Sequence, residues 1–159
     1  MNSASRTATY FSAWLALGVL ASQSVCLPAH AALGGDLTSV DTDGQHMKAQ
    51  LHLTTTNASY VVHEIQTANG MVVREYVSPA GKVFAVSWRG PTLPDLQQLL
   101  GSHYEDYQNA ANAPHPGHRH LSIDRADLVV HSSGRLRAFH GFAYLPAEFP
   151  ANLSINDLK

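Results

Sequence analysis

Between Tyr60 and Trp88 three short runs, YVVHEIQ, MVVREYVS and KVFAVSW, are separated by Ala68-Asn69-Gly70 and Pro79-Ala80-Gly81. Runs rich in β-branched and aromatic residues between glycine-bearing turns predict a three-stranded antiparallel meander. Both breaks fit a type I turn followed by a left-handed glycine, the usual three-residue hairpin connection. In the first hairpin this loop sets Glu64 opposite Arg74 and His63 opposite Glu75, whereas a two-residue Asn-Gly loop would oppose Glu64 to Glu75. Like charges directly opposite repel, which selects the longer loop. The same rule in the second hairpin pairs Tyr76 with Phe84 and Val72 with Trp88. It gathers Tyr60, Val62, Val72, Tyr76, Phe84, Val86 and Trp88 on one aromatic face, the face expected to meet a helix. The other face, Val61, Ile65, Val73, Val77, Val83 and Ala85, is also apolar, so a second layer or a second copy of the chain would cover it.

A helix follows at once. Thr92 is its expected cap with Asp95 three residues on, Pro94 stands in the first turn, and Leu93, Leu96, Leu100, Tyr104 and Tyr107 recur at helical spacing. Asn109 to His120, NAANAPHPGHRH, is poor in apolar residues and reads as a surface loop. Beyond it ADLVVHS and RLRAFHGFAYL flank Ser132-Ser133-Gly134 as a second hairpin, with Leu128, Val130, Leu136 and Ala138 on one face. An amino-terminal helix is expected near Leu37 to Leu51, interrupted by Gly44. The order predicts a two-layer α+β domain: an antiparallel three-stranded meander plus a further hairpin, covered by one or two helices.

The first residues have a different character. Arg6 is the only charge before Asp36, and an apolar stretch of about a dozen residues runs from Tyr10 to Ala21. A membrane-spanning helix needs roughly twenty apolar residues, so this stretch predicts a signal peptide and no transmembrane segment in the mature protein. Pro28 and the small-x-small site Ala29-His30-Ala31 place cleavage after Ala31, giving a signal peptide over 1–31 and a single exported domain over 32–159. Such a chain is expected in the periplasm or the medium. Its one cysteine, Cys26, leaves with the signal, which removes disulfides and cysteine catalysis from consideration. Lys+Arg total 10 against 12 Asp+Glu, and Arg6 is also lost on cleavage. A mature chain this acidic offers no electrostatic footprint for nucleic acid.

Two clusters carry candidate chemistry. His63, Glu64, Arg74 and Glu75 meet across the first hairpin, and a carboxylate-held histidine or a paired buried carboxylate is how an acid-base site begins. It is equally how a covered sheet satisfies its charges. His115, His118 and His120 lie within six residues of a loop, where three imidazoles could hold zinc, copper or nickel, although no carboxylate or thiolate stands nearby. There is no G-x-S-x-G, no H-E-x-x-H and no glycine-rich phosphate loop.

Ala32-Leu33-Gly34-Gly35, Val62-His63-Glu64-Ile65, Val73-Arg74-Glu75-Tyr76-Val77-Ser78-Pro79, Gly90-Pro91, Pro94-Asp95-Leu96, Asp127-Leu128-Val129-Val130 and Arg137-Ala138-Phe139 follow one another in a familiar order. Through them nearly all of the mature chain resembles a family of small exported proteobacterial proteins, domain of unknown function twenty-eight forty-four. The resemblance implies export from a Gram-negative cell and no assigned activity or cofactor. The family pattern lacks the His115 to His120 cluster and often has arginine at the place of Phe142. The expected function is thus a non-catalytic binding or structural protein of the cell envelope, with an envelope protein or a second copy of the chain as partner. The alternatives are a periplasmic metal-binding protein using the loop histidines and a small hydrolase or isomerase centred on the first hairpin.

Overall fold

A computed structural model describes residues 33–113 and 120–158. The expected signal peptide, 1–31, and the loop histidines His115 and His118 lie outside the described residues. The elements in order are α1 (Leu37–His46), β1 (Ala49–Thr56), β2 (Val61–Thr67), β3 (Val72–Val77), β4 (Val83–Gly90), α2 (Leu96–Leu100), α3 (Tyr104–Asn112), β5 (His120–Asp124), β6 (Val129–Arg135) and β7 (Ala138–Tyr144). The strands form one antiparallel sheet in the order β1-β2-β3-β4-β7-β6-β5. The fold is α+β: the meander and the later hairpin are present, and pairing of β4 with β7 joins them into a single seven-stranded sheet.

The first hairpin has the register argued from charge, with Glu64 opposite Arg74 and His63 opposite Glu75. Gly70 and Gly81 both have positive φ, at 83° and 76°, as the three-residue turns require. The second hairpin departs from expectation. Tyr76 faces Ala85 and Val77 faces Val83, so Phe84 is an extra residue in β4. This β-bulge puts Phe84 and Ala85 on one side of the sheet and sends Val86 and Trp88 to the other. Val72 consequently meets Arg89, not Trp88.

The helices therefore cover the face expected to be the second one. Val40 of α1 and Leu96, Leu99 and Leu100 of α2 pack with Ile65, Val73, Val77, Val83, Val86 and Trp88, and the cluster continues under α3 to Ile123, Leu128, Val130 and Ala143. Gly141 of β7 lies under the Trp88 ring, where a Cβ would meet Trp88 Cε2 at 2.6 Å. The aromatic group of Tyr76 and Phe84 is on the opposite face. It is covered by the chain's end, through Phe149, Leu153 and Leu158.

Other boundaries also differ. α1 stops at His46, Lys48 turns the chain with φ 51°, and the threonine-rich stretch that follows pairs as β1. The second helix breaks at Gly101 (φ 51°) into α2, a 3-10 turn and α3, and its cap is Asp95, which accepts from the Gln98 amide at 3.1 Å. Thr92 instead accepts from the Asn69 side chain at 3.4 Å. The last hairpin turns at Leu136-Arg137 and not at Ser132-Ser133-Gly134, with Arg135 opposite Ala138 and Arg137 at φ 60°. Leu136 is accordingly 93% exposed, not on the core face.

Candidate functional site

Antiparallel pairing places residues in rows across the sheet, and those of one row point to one face. On the side away from the helices one row reads Leu53, Glu64, Arg74, Ser87, Phe142, His131, Ser122 from β1 to β5. The row two residues further along holds Val72, Arg89, His140, Ser133 and His120. From β3 to β5 these two rows floor a groove of about 580 Å³, whose lining Leu158 shares with the aromatic cluster; Leu53 and Glu64, at the β1–β2 end of the first row, are not part of that lining. The volume lies within the range of small-molecule sites.

Arg74 Nε donates to Glu64 Oε2 at 2.7 Å, and Gln66 donates to Glu64 Oε1 at 2.6 Å. These bonds, the one from Gln66 foremost, hold the Glu64 carboxyl below the usual glutamate range. His131 stacks on Phe142 with ring centroids 5.0 Å apart and planes 15° apart. Its Nε2 lies 3.0 Å from Asp124 Oδ1, which anchors the imidazole at the outer wall. Hydrogen bonds from Ser122 and then His131 keep Asp124 low. Arg89 and His140 face each other across β4 and β7, and His120 lies on the same row at the far edge.

Ser122, His131 and Asp124 bring a hydroxyl, an imidazole and a carboxylate together, but not as a catalytic relay. Such a relay needs serine on one ring nitrogen and the carboxylate on the other. Here Asp124 binds Nε2, Ser122 Oγ donates to Asp124 Oδ2 at 2.8 Å, and Oγ is 3.4 Å from both ring nitrogens. The serine proton is committed to the carboxylate, so the imidazole has no nucleophile to activate.

The sheet divides the four hairpin residues expected to act together. Glu64 and Arg74 pair on the groove side, while His63 and Glu75 lie on the helix side. His63 Nδ1 is 3.2 Å from His52 Nε2 and 3.4 Å from Thr54 Oγ1. Burial, and then the neighbouring His52, push His63 below the usual histidine range. Glu75 is 1% exposed and lies against Asp43 of α1, itself 0% exposed and hydrogen-bonded by Gln98. Burial first, and then Asp43, push the Glu75 carboxyl up to about 10, so Glu75 keeps its proton at neutral pH. Of the loop histidines only His120 is described, on the groove floor. Among the described residues no group of three or more His, Cys, Asp or Glu is placed to hold a metal ion.

Arg89, His131, His140 and Ser87 are not singled out by the sequence, and Phe142 stands out there only as a departure from the family pattern. Their signal was the alternation of polar residues along β4, β6 and β7, readable only once the bulge at Phe84 and the joining of the two hairpins were known. No helix among the described residues is long and apolar enough to cross a membrane.

Residues 29–158 match a family model described as a protein of unknown function, DUF2844. No curated protein and no solved structure matches the chain.

Proposed function

We propose, from the premise that this chain belongs to the DUF2844 family, that it is an exported, non-catalytic binding protein of the cell envelope. Its ligand would sit in the groove on the uncovered face of the sheet. The observation that carries this reading is the asymmetry of that sheet: one face is sealed by helices, while the other leaves a concave, mixed polar and aromatic floor of about 580 Å³. A pocket with a few convergent polar groups is the default location of a binding site. The export half rests on the first 31 residues: Arg6, the apolar stretch and Ala29-His30-Ala31.

Both halves have direct tests. Protein recovered from its own cell should begin at Ala32 and fractionate with the envelope or the medium; a cytosolic protein still starting at Met1 defeats export. A fragment library screened by protein-observed NMR should move signals concentrated at His131, His140 and Phe142. Shifts scattered over the surface would reject the groove.

A further inference from the structure

We infer that the groove takes a small organic anion, a carboxylate or phosphate head carried on a flat apolar body; this rests on the groove being the binding site. Among the described residues its lining contains two arginines, Arg74 and Arg89, and three histidines, His120, His131 and His140, but no carboxylate. The chain as a whole is acidic, with a formal charge of -2. Cationic and N–H donor groups are therefore gathered on one patch against the overall charge.

The patch has an internal division of labour. Arg74 is bound by Glu64, and His131 by Asp124. Among the described residues Arg89, His140 and His120 are not held by any carboxylate. They share one row whose span is roughly 14 Å, three strand spacings. A guanidinium presents a planar fork matched to carboxylate and phosphate oxygens, and each imidazole keeps at least one N–H donor in any protonation state. The anionic head accordingly belongs at Arg89 and His140. The neighbouring row offers the opposite chemistry: Phe142 and His131, stacked on each other, turn aromatic edges to the groove, and Leu158 adds an aliphatic surface to its lining. A planar body extending from the head would pack its face against those edges.

The test uses four probes of one shape on the full chain: benzoate, phenyl phosphate, neutral benzamide and cationic benzamidine, followed by NMR at groove signals. Benzoate or phenyl phosphate should bind there more tightly than benzamide, and benzamidine should be excluded. The stronger of the two anions identifies the head group. Arg89→Gln, at an exposed position on β4, should weaken the anions about ten- to a hundredfold, and His140→Gln provides a second variant if the first is unstable. Benzamide binding as tightly as the anions, or both variants retaining full affinity, would overturn the anion while leaving the groove as a binding site. If no probe moves a groove signal, the anion and the groove fall together.

Discussion

Glu75 occupies the centre of the helix-side row, between His63 on β2 and Val86 on β4, and Asp43 comes down on it from α1. An ionised carboxylate in such a place is costly, and two within contact cannot both ionise. The sign of the consequence follows from linkage. Below about pH 4.5 Glu75 is protonated folded or unfolded, and its contribution is fully present. Between there and about 10 the folded state keeps a proton that the unfolded chain releases, so stability falls as pH rises. His63 acts oppositely: its lowered value contributes stability above its unfolded value of about 6.5, lost as pH falls. Between pH 7 and 9 the Glu75 effect stands alone of the two. Urea denaturation there should show stability declining by up to about 1.4 kcal/mol per pH unit, and Glu75→Gln should flatten that slope and be the more stable protein at pH 9. A slope unchanged in the variant would mean that the proton is not held at Glu75. The sequence marked Glu75 and His63 as cross-strand neighbours, but Asp43 is contributed by a helix 32 positions earlier in the chain, and no local pattern points to it.

At the level of elements, short-range chemistry predicted what formed, and competing short-range options decided where it began and ended. Thr92 and Asp95 both precede the second helix, and both are good caps. Pro91 and Pro94 flank Thr92, and Thr92 is drawn to Asn69, leaving Asp95 to accept from Gln98. Asp95→Ala should therefore cost about 1 kcal/mol while Thr92→Ala stays within about 0.5 kcal/mol, measured by thermal unfolding; the reverse order would restore Thr92 as the cap. The bulge at Phe84 is the larger divergence. One extra residue reverses the facing of everything after it in β4, which moved Trp88 into the core and Arg89 onto the groove floor. Turn chemistry set the first hairpin correctly because charge opposed the alternative register; in the second no such penalty separated a regular ladder from a bulged one.

For the whole molecule, the decisive event is the division of the sheet's two faces between different covers. Helices take one face, and on the other Phe149, Leu153 and Leu158 cover the aromatic group around Tyr76 and Phe84. What they leave open is the groove. Leu158 is 0% exposed and touches both the aromatic cluster and the groove end. Leu158→Ala should lower stability by about 2–4 kcal/mol and raise binding of a hydrophobic dye, read by chemical denaturation and fluorescence. A loss under about 0.5 kcal/mol would show that the closing segment is not part of the folded unit.

The sequence alone determined the strands of the meander, the first hairpin's register, the α+β class and membership of the family, because hydrophobic period, turn residues and opposed charges all act between residues close together in the chain. Only the tertiary structure decided which face the helices seal, which strands join the two hairpins, and that Arg89, His131, His140 and Phe142 share one floor. Those outcomes depend on one bulge and on β4 pairing with a strand about fifty residues later. Contacts made across such separations are selected by the packing of the completed core, not by any pattern local to the residues they unite.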